Sequence, residues 1–140
     1  MTNKSSEDTK RILIRGVNWI GDAVLTIPAI SAVRHEFPDA HISLLVKLWV
    51  ADIFKENRDI DEIILYEKGY DSLLGKFRLA KELRQKGFDK AILLQNAFDA
   101  ALITWLAGIP ERIGYARDAR GLLLTKSIPV DKESLKKHQI

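Results

Sequence analysis

Ile12-Leu13-Ile14-Arg15-Gly16-Val17-Asn18-Trp19-Ile20-Gly21-Asp22-Ala23-Val24-Leu25-Thr26-Ile27-Pro28 is an apolar strand that runs through a short turn into a helix. In an open α/β sheet the ligand crevice lies at the carboxyl ends of the strands. Asp22, at this junction, therefore stands where a general base could meet a substrate. Gly21 lets the backbone turn tightly beside it. The pair has a second reading, because aspartate is also an ordinary helix N-cap, and the pattern alone leaves both open.

Working outward, strand signals recur at Arg11 to Arg15, His41 to Val46, Glu62 to Leu65 and Lys90 to Leu94, each a short branched or leucine-rich run bounded by turn formers. Helical patterns alternate with them. The first spans about Asp22 to Glu36, with Pro28 inside it as a kink. A shorter one spans Trp49 to Glu56. A longer one, Ser72 to Lys86, places Leu73, Leu74, Phe77, Ala80 and Leu83 on one side and Lys76, Lys81, Glu82 and Gln85 on the other, and stops at Gly87. A fourth, Ala97 to Ala107, ends at Gly108-Ile109-Pro110, and Trp105 on it reads as core. Arg112 to Gly114 and Ser127 to Val130 add short final strands. This alternation predicts an α/β fold, a Rossmann-like parallel sheet with helices on both faces. Residues 1–10 read as a disordered polar lead-in, 11–130 as the folded domain and 131–140 as a charged tail.

A chain of 140 residues has the size of one domain, and 46% hydrophobic with 29% charged residues is a globular composition. No apolar run approaches the roughly 18–20 residues of a membrane span, and the N-terminus has no signal-peptide core. The absence of cysteine excludes disulfide and thiolate chemistry. His35, His41 and His138 lack ligand spacing, which predicts no metal site. The net charge of +3 suits an anionic partner, but a dense basic stripe with interleaved aromatics, as nucleic acid requires, is lacking. Gly16 and Gly21 do not make a G-x-G-x-x-G fingerprint, which argues against a dinucleotide oxidoreductase.

The run Asn18-Trp19-Ile20-Gly21-Asp22 resembles the N-terminal signature of the ADP-heptose:lipopolysaccharide heptosyltransferases. Ala97 to Tyr115 is similar to the family's fourth helix and following strand, and Arg117 to Thr125 to its next loop. The likeness covers roughly Arg11 to Pro129 and is closer to the heptosyltransferase II branch than to branch I. Ala119 and Leu48 depart from the glycine and proline that relatives often have there.

The resemblance implies the acceptor-binding, N-terminal Rossmann-like domain of a GT-B inverting glycosyltransferase of family 9. A C-terminal donor domain is then absent from these 140 residues, which alone are expected to be inactive. It implies Asp22 as the base that takes the proton from an acceptor hydroxyl, and a reaction without metal or other cofactor. The donor would be ADP-heptose and the acceptor the anionic inner core of lipopolysaccharide, in a bacterial cytoplasm with peripheral contact at the inner membrane. An acceptor rich in carboxylates and phosphates calls for cationic groups. Arg15 and Lys47 at strand ends and Arg117 and Arg120 in a loop are the candidates. Arg78, Arg84 and Arg112 are assigned to solvated faces. Asn18, Trp19, Gly21 and Asn96 complete the expected acceptor-binding set, with helix capping the alternative for Asn96. Trp19 and Trp49 could pack against sugar faces. Two other functions fit the same sequence: a related glycosyltransferase with another donor or acceptor, and a non-catalytic domain that binds anionic glycan or a partner protein.

Overall fold

The computed structural model describes residues 9–94, 98–115 and 126–128. Strands β1 (Arg11–Arg15), β2 (His41–Val46), β3 (Glu62–Leu65), β4 (Lys90–Leu93), β5 (Glu111–Tyr115) and β6 (Lys126–Ile128) form one sheet in the order β3-β2-β1-β4-β5-β6. Every pairing is parallel. Helices α1 (Ile20–Leu25), α2 (Ile27–Glu36), α3 (Leu48–Phe54), α4 (Leu73–Lys86) and α5 (Phe98–Leu106) make the crossovers.

The alternation of β1 divides the core. Ile12 and Ile14 join Ala23, Ile30, Val50 and Phe54 on the α1–α3 face, while Leu13 joins Leu79, Leu83, Ala101 and Ile103 on the α4–α5 face. Fully burying an Ile or Leu contributes about 1.5–3 kcal/mol, so the central strands, apolar on both sides, anchor the sheet.

Pro28 does more than kink the first helix. Its ring cannot sit against the carbonyl four residues back, and the pattern splits at Thr26 into α1 and α2, with Pro28 in the first turn of the second. Thr26 Oγ1 donates to the Ala23 carbonyl at the break, 2.6 Å.

The largest departure is the orientation of α4. Its buried residues are Gly75, Leu79, Ala80 and Leu83, whereas Leu73, Leu74 and Phe77 face outward. Gly75 sets this rotation by packing on a 3₁₀ turn over Lys68–Asp71: a Cβ there would overlap the Gly69 carbonyl oxygen and lie 2.8 Å from Tyr70 Cα. The helix starts as expected, with Ser72 Oγ accepting from Gly75 N–H at 3.0 Å, and ends at Gly87 with φ +68°. Gly75→Ala is expected to destabilise the fold by about 2–3 kcal/mol through overpacking, despite alanine's better helix propensity. Urea unfolding measures it, and an unchanged midpoint would mean that α4 is not pinned at this contact.

Two further expectations change. Trp105 is half exposed rather than core; the buried side of α5 instead presents Thr104, whose Oγ1 donates back to the Ala100 and Ala101 carbonyls at 3.0 Å. Arg112 is not a solvated surface arginine: it is part-buried, donates to the Ile109 carbonyl at 2.6 Å, and burial lowers its pKa. Arg84 also has a local role, donating to the Leu106 carbonyl at 2.9 Å.

Candidate functional site

Strand order reverses between β1 and β4, whose following helices lie on opposite faces. The crevice of such a sheet opens at that switch point, outside the carboxyl ends of the strands. The segment 16–19 leaves β1 here and enters α1.

Trp19 occupies the N-cap position of α1 in extended conformation, and its carbonyl accepts from Ala23 N–H at 2.8 Å. Asp22 is thus the third helical residue, exposed in the first turn, and the capping reading does not fit. Among the described residues no hydrogen bond or ion pair holds its carboxylate. Gly21 also differs from expectation. It lies inside α1 without a left-handed φ, so it makes no tight turn, and among the described residues a Cβ added there would meet nothing within 4 Å. Among the described residues, glycine leaves open space beside Asp22.

Arg15 ends β1 but is only 3% exposed. Its Nη1 donates to the carbonyls of Gly16 (2.9 Å) and Leu45 (3.0 Å), and its Nη2 to Asn18 Oδ1 at 3.1 Å. The guanidinium lies 4.8 Å from the centroid of the Tyr66 ring. The strand-end rule that marked Arg15 as an acceptor contact misjudged its direction: it shares strand parity with Leu13 and runs beneath the loop. Its geometry is that of a strut that fixes Asn18.

A guanidinium only donates, so Asn18 turns its oxygen toward Arg15 and its amide Nδ2 away. Trp49, at the start of α3, completes the hold by donating Nε1–H to the Asn18 carbonyl at 2.7 Å. Its ring remains 52% exposed and that of Trp19 71%. Lys47, between β2 and α3, carries its Nζ 5.2 Å from the Trp49 centroid and 5.8 Å from that of Tyr66. The result is a part-buried lysine whose ammonium is framed by aromatic rings.

The fold therefore gathers Asn18, Trp19, Gly21, Asp22 and Lys47 along one edge, with α1 packed against α3. Asn96, Arg117 and Arg120 lie outside the described residues. Tyr66 was missed in the sequence, although it directly follows β3 and the rule that selected Arg15 and Lys47 applies to it equally. It is buried, its N–H donates to the Val46 carbonyl at 2.7 Å and its hydroxyl to the Tyr70 carbonyl at 3.1 Å. Among the described residues, no three His, Cys, Asp or Glu side chains are grouped to hold a metal ion.

Known proteins share both the sequence and this architecture. The profile of glycosyltransferase family 9 (heptosyltransferase) matches residues 76–140. Lipopolysaccharide heptosyltransferase 2 of Escherichia coli K12 is 31% identical over 126 residues, 89% of this chain and 36% of that protein. The chain belongs to glycosyltransferase family 9. Among solved structures, E. coli ADP-heptose lps heptosyltransferase II superposes with a TM-score of 0.79 at 29% identity, over 88% of this chain and 36% of that one. A family 9 glycosyl transferase from Veillonella parvula DSM 2008 superposes at 0.80 over 93% of this chain and 38% of its own, at 24% identity. The chain thus spans little more than a third of the length of these family 9 relatives.

Gly21 separates fold from site within this family 9 domain. Gly21→Ala is expected to stabilise α1 by about 0.5–1 kcal/mol, because alanine loses less entropy in a helix and its methyl meets no neighbour. If the open space beside Asp22 receives a ligand, the same methyl weakens binding. A variant that melts higher and still binds an inner-core oligosaccharide as tightly would exclude Gly21 from the contact surface.

Proposed function

We propose that this chain is the acceptor-binding domain, over residues 11–130, of a glycosyltransferase that moves heptose from ADP-heptose to the inner core of lipopolysaccharide, with Asp22 as general base. The observation that supports this reading most is the exposed Asp22 carboxylate at the switch point, with Lys47 at the same carboxyl end of the sheet.

Inverting transfer needs a carboxylate that accepts the proton of the attacking hydroxyl as the bond to the anomeric carbon forms and the diphosphate departs. Asp22 has the chemistry and the access. The Asn18 amide would donate to a sugar oxygen, Lys47 would meet a carboxylate or phosphate of the acceptor, and Trp19 would pack on a sugar face. Arg15 serves this set through Asn18. Asn96, Arg117 and Arg120 are proposed for the same acceptor on sequence grounds.

The phosphate-cradling fingerprint is lacking, so the donor is assigned to a partner domain. Calorimetry tests that division of labour. The 140-residue chain is expected to bind a phosphorylated inner-core oligosaccharide, and to bind ADP or ADP-heptose negligibly. Micromolar ADP affinity with none for the oligosaccharide would reverse the assignment.

A further inference from the structure

We propose that Tyr66 is a positioning residue of the acceptor site, the ring that holds the Lys47 ammonium ready for a phosphate or carboxylate of the ligand. This role rests on the acceptor reading above and deepens it. Tyr66 is buried, so it acts through Lys47 and not on the ligand.

A lysine is a compact charge on a flexible four-carbon stem, and an ammonium that is to receive an anion must be kept in place without losing its charge to a neighbour. The backbone of Lys47 is fixed, because its carbonyl accepts from the N–H groups of Val50 and Ala51 at 3.0 and 3.1 Å as α3 begins. Its side chain lies against two rings, with Nζ 5.2 Å from the Trp49 centroid and 5.8 Å from that of Tyr66. Among the described residues no carboxylate pairs with it. A carboxylate in that place would grip the ammonium more firmly but cancel its charge and occupy its N–H donors. A ring quadrupole attracts the cation and does neither.

Tyr66 is the more firmly held of the two rings. It directly follows β3, and its N–H extends the β2–β3 ladder to the Val46 carbonyl at 2.7 Å. Its hydroxyl donates to the Tyr70 carbonyl at 3.1 Å, and its ring meets that of Tyr70 edge-on at a centroid distance of 5.8 Å. Trp49, by contrast, is half exposed and is tied to the Asn18 carbonyl. The Tyr66 centroid also lies 4.8 Å from the Arg15 guanidinium, so one buried side chain sits against both the cation offered to the ligand and the cation that fixes Asn18. Two cations gathered at one ring repel each other, and its negative face offsets part of that cost.

Calorimetric titration of the 140-residue chain with a phosphorylated inner-core oligosaccharide, beside NMR of the Lys47 ε-methylene protons without ligand, is the test. Tyr66→Leu is expected to weaken binding by about three- to tenfold and to move those protons toward the ordinary lysine position, because the ring current of Tyr66 is gone. Tyr66→Phe keeps the ring and should retain both the proton shifts and the affinity, the latter within about twofold. In a Lys47→Met background, Tyr66→Leu should cost little further affinity, a result that a merely structural Tyr66 would not give. An equal loss with and without the Lys47 ammonium would overturn the proposal. So would parent-like affinity in Tyr66→Leu, or a loss in Tyr66→Phe as large as in Tyr66→Leu, which would assign the effect to the hydroxyl. Absence of binding by the unmodified chain would remove the acceptor reading itself, and this role with it.

Discussion

Asp22→Asn is expected to lower turnover by roughly 10²- to 10⁴-fold, the range that a general base contributes, in an enzyme that joins this domain to the remaining part of E. coli heptosyltransferase II. The substitution preserves shape and removes the proton acceptor. Asp22 stands third in α1, exposed and outside the cap position, so little else should change. Acceptor affinity and the melting temperature should stay close to those of the parent. The comparison is made by single-turnover rates in joined enzymes that are otherwise identical. Turnover within about threefold of the parent would remove Asp22 from the chemistry, while leaving the family and the fold untouched.

Arg15→Met should produce the largest loss of stability at the site, about 3 kcal/mol, because it withdraws donors from the Gly16 and Leu45 carbonyls and from Asn18 Oδ1 in a buried place. Arg15→Lys should recover only part of it. An ammonium restores the charge but not the planar fork that reaches two carbonyls and an amide at once. Urea unfolding gives the stability, and the oligosaccharide titration of the folded variant gives the effect on Asn18. If Arg15→Met unfolds at the parent's midpoint, the strut described here has no energetic weight. If Arg15 instead met the acceptor directly, affinity would drop with stability unchanged.

The sheet was legible in the sequence because each central strand is a short apolar run closed by turn formers. Bounds read from the chain for β1, β2 and β3 match those of the structure, and Lys90 to Leu94 ends one residue earlier at Leu93. Helix direction was less legible. Counting apolar spacing favoured Leu73, Leu74 and Phe77 as the inner side of α4, but the packing contact is made by Gly75, which has no side chain to count. The same limit applies at Trp105, where hydrophobicity suggested core and the inner face uses Thr104 with its hydroxyl satisfied within the helix.

At the site, the position of Asp22 after β1 followed from the strand-turn-helix pattern, whereas its place within the first turn required the backbone. Arg15 shows why a strand-end cation cannot be assigned from position alone: strand parity sends it under the loop, whereas Lys47 sits part-buried between the Trp49 and Tyr66 rings. The Trp49 to Asn18 hydrogen bond joins residues 31 positions apart, and such a contact leaves no trace in local spacing.

The acceptor is expected at the carboxyl ends of the central strands, on the surface formed by the β1–α1 and β2–α3 junctions. Amide resonances of the 15.9 kDa chain, followed by NMR as a phosphorylated inner-core oligosaccharide is added, test it most directly. Saturable shifts are expected at Asn18 to Ala23 and at Lys47 to Val50, with the Trp49 indole proton among the largest, and with little change at the amino ends of the strands. Shifts confined to another face, or none at millimolar oligosaccharide, would rule out acceptor binding at these junctions.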